Sequence, residues 1–298
     1  MLEAFDAPGR FWRGNVHGHS TNSDGALTPE EAVARYRRQG YDFVSLTDHF
    51  LPGYNFPISD TRAFRTETFT TLLGAEVHAP ATSRAEPWHI VAVGLPPDFS
   101  ATGPTETGPT LARRCREAGA FVAIAHPHWY NLTLEDALTL DAAHAVEVYN
   151  HTCAIECDRG DGLVMLDALL SAGRRIDAIA TDDSHWSQMD AFGAWVMVKA
   201  EENAPAALLD ALKSGRHYAT QGPEFHEIAR DGDHLVIRCT AAANIILIGP
   251  AARMRTHPGQ QVTHARLPLE PFAGGWCRAV VLDAAGKRAW SNPLWLEA

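Results

Sequence analysis

His17 and His19 flank a single glycine in the stretch Asn15–Asp24, read N-V-H-G-H-S-T-N-S-D. Two imidazoles at alternate positions of an extended segment, here Phe11 to His19, face the same way. A pair so placed can close on one metal ion, and Gly18 lets the backbone lie close to whatever occupies that side. Asp24 follows in the polar loop 20–25, before a helix that opens at Thr28-Pro29-Glu30-Glu31 with the signature of an N-cap, a first-turn proline and an acidic first turn. Strand, polar loop with ligand-type side chains, then helix is the order in which parallel α/β proteins place functional groups, beyond the carboxyl ends of strands. A single His-x-His does not make a metal site. Its recurrence does the arguing.

Further strands carry the same signature. The run 41–47 ends in Asp48-His49, and the run 69–78 contains Glu76. His89 begins the run 88–94, the apolar run 120–125 leads into His126-Pro127-His128-Trp129, and the run 176–181 ends in Asp182-Asp183-Ser184-His185. The candidate ligands are therefore His17, His19, Asp24, His49, Glu76, His89, His126, Asp183 and His185. Nine donors are too many for one ion and suit two or three. Imidazole and carboxylate sets of this kind take Zn, Mn or Fe(II), and a carboxylate can bridge two ions. Three divalent ions against three carboxylates would leave the pocket net positive, which attracts an anionic substrate and brings the pKa of a bridging water near neutrality.

These groups need a frame. Helices are expected over 28–39, 110–118, 163–171 and 204–212, and further strands over 145–150 and 192–200. Phe50 to Asp60 reads as a loop able to wall a pocket. Strand and helix alternate about seven times, which suits an α/β chain folded as a (β/α) barrel one unit short of eight. Helical periodicity stops at Tyr218, and short apolar runs (235–240, 243–248, 277–283) follow, separated by Gly, Pro and Asp. Residues 1–217 are read as the barrel and 218–298 as a small antiparallel β-rich module that supplies no ligand.

Taken together, His17-Gly18-His19, Thr47-Asp48-His49, Gly74-Ala75-Glu76, His89 within His-Ile-Val-Ala-Val-Gly, Ala125-His126-Pro127 and Asp183-Ser184-His185 resemble, in kind and order, the PHP (polymerase and histidinol phosphatase) metal-dependent phosphoesterases. The resemblance covers roughly residues 11–220. It implies a distorted (β/α)7 PHP barrel with a two- or three-metal centre. By that resemblance His17, His19, Glu76 and Asp183 hold a first ion, Glu76 bridges to a second held by His89 and His126, and Asp24, His49 and His185 hold a third. The tail is similar to that of bacterial PHP proteins with a C-terminal β module, a subgroup that resembles known phosphoesterases and also the carbaryl hydrolase group, which cleaves a carbamate ester. Many relatives insert a cap between the metal strands, whereas only residues 90–125 separate His89 from His126 here.

The expected activity is a phosphoesterase, with a metal-bridging hydroxide attacking a small phosphorylated substrate. Alternatives are a carbamate or amide hydrolase, an exonuclease-type phosphodiesterase, and a non-catalytic metal-stabilised domain. A net charge of −11 over 298 residues argues against broad nucleic-acid or membrane-surface binding. No apolar run reaches transmembrane length, Met1–Asp6 lacks the features of a secretory signal, and five scattered cysteines suggest reduced thiols, so a cytoplasmic protein is expected. The sequence carries no signal of oligomeric state.

Neighbouring residues have plainer readings. His78, on the same strand face as Glu76, is the substitute ligand should His89 fail. His128 and Glu147 are expected to line or support the site, Asp48 and Asp182 to orient a ligand histidine, and Trp88, Trp129 and Trp186 to pack the barrel mouth. His144, His151, His217, His226, His234, His257 and His264 are assigned to surface or packing, and Arg62, Arg65 and Arg159 to the solvated surface.

Overall fold

The computed structural model describes residues 3–297; Met1 and Leu2, part of the amino-terminal stretch considered above, lie outside them, as does Ala298. After a one-turn α1 (Glu3–Asp6), β1 (Arg10–Asn15), α2 (Pro29–Arg38), β2 (Phe43–Leu46) and the two-residue β3 (His49–Phe50) lead to β4 (Thr70–Ala79) and β5 (Trp88–Val93). The chain continues through α3 (Gly108–Glu117), β6 (Phe121–Ile124), α4 (Leu134–Thr139), β7 (Ala145–Asn150), α5 (His151–Cys157), α6 (Leu163–Ser171) and β8 (Asp177–Thr181).

Seven strands in the order β1-β2-β4-β5-β6-β7-β8 make the wall of the barrel. Neighbours are parallel except that β5 runs antiparallel to both β4 and β6. One parallel bridge, Gly18 to Ser184, links the two ends of the series. A Cβ on Gly18 would lie 2.9 Å from Ser184 Oγ, so glycine is what allows the approach. The expected distorted seven-strand α/β barrel is the one observed. β2, β4 and β6 are buried at every residue and so on both faces, whereas β1 is exposed at its start. Thr28 and Glu31 form a reciprocal capping box at the start of α2, and Ala32, Val33 and Tyr36 form its buried face.

Regular strand–helix alternation does not hold. No α-helix separates β2 from β4, or β4 from β5, and residues 51–69 run as loop with two 3₁₀ turns. The reversal of β5 explains the second gap, because antiparallel neighbours need no crossover. Helices α4 and α5 have no counterpart in the sequence reading. At six and seven residues they are too short to show a period, and each is started by a side-chain cap, Thr133 and Asn150. The first strand stops at Asn15 rather than His19, although its alternation persists: Thr47 N donates to Gly18 O (2.7 Å), Asp183 N to His17 O (2.9 Å) and His19 N to Ser184 O (2.8 Å).

Beyond the barrel come β9 (Trp195–Ala200), α7 (Pro205–Lys213) and β10 (His217–Thr220), then β11 (Phe225–Asp231), β12 (His234–Ile248), β13 (Met254–Pro268), β14 (Trp276–Leu282), β15 (Arg288–Ser291) and β16 (Leu294–Trp295). Again no α-helix lies between β8 and β9, because β9 pairs antiparallel with β1. The sheet then runs without a break through β10, β15, β14 and β12 to β11, so residues 217 and 218 are neighbours inside one strand. The runs 235–240 and 243–248 are a single strand, β12, with irregular register between Arg238 and Asn244. Its partner β13 contains Pro258, tolerated because β13 pairs with β12 alone. These strands enclose their own core around Phe225, Ile237, Leu247, Phe272 and Val281. No helix among the described residues is long and apolar enough to cross a membrane.

One buried hydroxyl ties α2 to the end of the barrel. Tyr36 donates to Asp182 Oδ2 (2.9 Å), accepts from Asn15 Nδ2 (2.9 Å) and meets Ser184 Oγ at 2.9 Å. Replacing Tyr36 by Phe leaves these buried groups short of a partner, and is expected to lower unfolding free energy by about 1–3 kcal/mol. Denaturant titration checks this; a variant as stable as the parent would show the hydroxyl to be dispensable.

Candidate metal centre

All nine candidate ligands converge at one end of the barrel. His17 and His19 follow β1, His49 opens β3, His126 follows β6, and Asp183 and His185 follow β8. Glu76 lies late in β4, whereas His89 lies at the start of β5. The reversed direction of β5 makes those positions equivalent: His78 and His89 are cross-strand partners.

Three sets of donors face one another. His17 Nε2 and His19 Nε2 lie 3.1 and 2.9 Å from Asp183 Oδ1, and each lies 3.7 Å from Glu76 Oε2. Around the other Glu76 oxygen, Oε1, stand His89 Nδ1 at 2.7 Å and His126 Nε2 at 3.2 Å. Asp24 reaches His49 Nε2 at 3.3 Å, His185 Nε2 at 3.6 Å and His19 Nδ1 at 3.8 Å. His19 thus presents one ring nitrogen to each of two sets. His78 joins the cluster as well as His89, not in place of it: its Nε2 is 2.9 Å from His49 Nδ1 and 3.7 Å from Glu76 Oε2.

Divalent ions fit this arrangement. His17 Nε2 and Glu76 Oε2 are buried and have no hydrogen-bond partner in the protein; the 2.7 Å approach of His49 Nδ1 to Glu76 Oε2 lacks hydrogen-bonding alignment. Buried polar atoms rarely go unpaired, and each such atom costs about 1–3 kcal/mol, so a cation bound between them answers a need of the fold. Burial raises the Glu76 carboxyl, but His49, His89, His78 and His126 outweigh it and hold it well below the carboxylate range. Asp183 behaves alike, with burial opposed by His17, His19 and His185. Burial lowers His49, yet Glu76 and Asp24 push it up to about 10. His19 is instead driven down to about 4, by burial and by His185 and His49. Burial first, and Asp183 second, push the Cys153 thiol up, so it supplies no thiolate nucleophile.

Surrounding groups fix the donors. His17 Nδ1 donates to Glu147 Oε1 (2.7 Å), leaving Nε2 to face the cluster. Glu147 also accepts from Thr181 Oγ1 (2.6 Å), His126 N (2.6 Å) and Asn150 Nδ2 (3.1 Å). The Asn150 amide reaches Asp183 Oδ2 too (3.0 Å), a role without any sequence signal beyond a polar residue at a strand end. Asp183 has φ of 56°, a left-handed conformation costly for a residue with a Cβ. Thr152 Oγ1 (2.7 Å) and His185 Nδ1 (2.8 Å) hold its carbonyl in place.

Asp48 and Asp182 do not orient ligand histidines. Asp48 accepts from Ser20, Ser23 and Ser59, and Asp182 from Tyr36 and the backbone of Phe192, Gly193 and Ala194. Both bind loops in place, because their neighbours within reach are donors of the turns rather than imidazoles. Trp88 packs in the core and not at the mouth. Trp129 does stand at the mouth, its ring 5.2 Å from that of His89 and 5.3 Å from that of His126, and Tyr54 stacks 6.4 Å from His49. Trp186 Nε1 donates to His19 O (3.1 Å). His17 and His19 are fully buried while the Asp24 side chain is 39% exposed, so the cluster opens on the Asp24 side. His128 lines a cleft of about 600 Å³ with Pro127, Leu132, Met165 and Arg84, on the flank of the mouth. Arg62 pairs with Asp60, Arg65 binds Thr71 and Arg159 binds Trp129 O.

No family model matches the chain, and no curated protein matches it significantly. Among solved structures it is similar to a two-domain protein containing a predicted PHP-like metal-dependent phosphoesterase from Bacteroides vulgatus, at 18% identity and a TM-score of 0.55, over 97% of this chain and 98% of that one. A provisionally assigned metal-dependent phosphoesterase from Bifidobacterium adolescentis aligns at 16% identity and TM-score 0.44, over 58% of this chain and 87% of that one. An amidohydrolase from Chromobacterium violaceum, with bound sulfate and no metal, aligns at 17% identity and TM-score 0.42, over 59% and 89%. The first likeness is one of fold, and it spans both the barrel and the β-rich residues that follow it in this chain.

The Glu147–His17 contact generates a test that leaves the cluster itself untouched. Glu147→Gln should fold but weaken metal affinity about 10- to 100-fold, since the amide is uncharged and replaces by an NH2 one of two oxygens that both accept from buried donors, so that the His17 tautomer is no longer fixed. Competition with a chromophoric chelator measures this; affinity equal to the parent's would remove Glu147 from the account.

Proposed function

We propose that the chain is a metal-dependent hydrolase, and within that class a phosphoesterase acting on a small anionic phosphorylated substrate. The observation that carries this reading is the division of Glu76, whose two oxygens face two different sets of histidines. His17, His19, Glu76 and Asp183 would hold one ion, Glu76 with His89 and His126 a second, and Asp24, His49 and His185 a third. Zn, Mn and Fe(II) all suit these ligands. Such ions supply Lewis acidity and lower the pKa of bound water.

The protein groups prepare the site. Glu147 sets the His17 tautomer, and Asn150 fixes the Asp183 carboxylate. Trp129 and Tyr54 stand at the entry against the rings of His89 and His49. The catalytic unit is assigned to residues 1–217 and the β-rich module to 218–298, and no histidine of 218–297 belongs to the donor cluster. A cytoplasmic setting is supported by five free cysteines, four of them buried. The net charge of −11 speaks against broad nucleic-acid binding.

A second reading, carbamate or amide hydrolysis, is favoured by one observation. Arg62 is paired with Asp60 and Arg65 is held on Thr71, so neither is a guanidinium clamp for phosphate. The metal-loaded protein should be assayed against phosphomonoesters, phosphodiesters, carbamates and short oligonucleotides. Turnover of a phosphoester is expected, falling by about 100-fold or more in Glu76→Gln while the unfolding transition of the metal-free protein stays in place. Carbamate turnover alone would select the second reading, and no turnover on any class would leave a metal-stabilised, non-catalytic domain.

A further inference from the structure

The opposite end of the barrel, before β6, β7 and β8, carries its own concentration of charge. A cleft of about 390 Å³ there is lined by Arg116, Arg174, Arg175 and Lys213, together with His144 and two carboxylates, Asp141 and Asp177. Asp141 is already engaged by Arg113 (3.0 Å). Four cations converging on one cleft is unexpected in a chain whose net charge is −11. Three of them each place one donor on a carbonyl near the end of a helix: Arg116 on Ala142 O (3.3 Å), Arg174 on Leu140 O (3.1 Å) and Lys213 on Gly119 O (3.1 Å). These contacts explain how the side chains are anchored, and they leave most of the guanidinium and ammonium donors unspent. Arg174 Nε is buried with no hydrogen-bond partner. The cations also feel one another: burial, and then Arg116, depress Arg174 against the pull of Asp141, and burial with Arg116 and Lys213 drives His144 down to about 4.

We propose that this cleft binds a small phosphate-bearing anion, at a site separate from the metal-type centre. With Arg113 counted against Asp141, four lining cations face the single carboxylate of Asp177, an excess that a phosphate monoester dianion largely offsets, and forked guanidinium donors match its oxygens. The cleft is wide enough for an organic remainder. It shares Arg175, Asp177 and Lys213 with an adjoining groove that ends at Trp295, whose indole lies 5.1 Å beneath the Arg175 guanidinium.

Titration calorimetry of the metal-loaded full chain with inorganic phosphate tests the site, with the two ends of the barrel separated by substitution. Binding is expected to persist in a Glu76→Gln, Asp183→Asn double variant, which removes phosphate binding at the metal-type centre, and to weaken about 10-fold or more when Arg174→Gln and Lys213→Gln are added to that variant. Should that pair fail to fold, Lys213→Gln alone, at an exposed position of α7, is expected to weaken binding about threefold or more. Phosphate binding that disappears with the Glu76 and Asp183 substitutions, or is indifferent to those at Arg174 and Lys213, would overturn the proposal. Failure of the ester assays above would leave this test unaffected, since it measures binding at the other end of the barrel.

Discussion

Glu76 is a fully buried carboxylate with six imidazoles, those of His17, His19, His49, His78, His89 and His126, within 3.7 Å of its oxygens. Burying one charge among so many polar rings is expensive unless the group is paired. The rings provide part of that pairing and leave His17 Nε2 and Glu76 Oε2 without hydrogen bonds. The fold tolerates this arrangement because the barrel places every ring at a strand end, where the backbone is already fixed. A donor set so tightly imposed suits cations held at preset positions rather than a flexible surface site.

Two departures from a regular barrel make the cluster possible. The reversed β5 brings His89 beside His78 at the same end as Glu76, which a parallel strand beginning with histidine would have carried to the far end. The bridge between Gly18 and Ser184 then draws the end of the first strand against Asp183 and fixes the distance between His17, His19 and that carboxylate. The left-handed Asp183 is the local cost of the junction, held by Thr152, His185 and Asn150.

The ligand-type residues were readable in the sequence because metal-binding side chains are rare in apolar strands and stand out at their ends. His17, Glu76 and Asp183 needed no fold to be noticed. The strands of the barrel were readable for a related reason, since a run such as Phe121–Ile124 is buried on both faces and admits no polar residue. What depended on pairing was not readable. Nothing in the residues of β5 says that it runs backwards, and Asp48 and Asp182 differ from ligand-orienting carboxylates only in which donors the loops bring to them. The long strands β12 and β13 were hidden by the proline and glycine within β13 and by the irregular pairing inside β12, features that normally end a strand but are absorbed at an edge or a bulge.

The central claim is that Glu76 stands between ions, and diffraction from crystals of the metal-loaded protein, recorded on both sides of the absorption edge of the added metal, tests it most directly. The account predicts anomalous density on two sides of the Glu76 carboxylate, one peak among His17, His19 and Asp183 and another between His89 and His126. A single peak held by Asp24, His49 and His185 with none touching Glu76, or density away from this end of the barrel altogether, would contradict it.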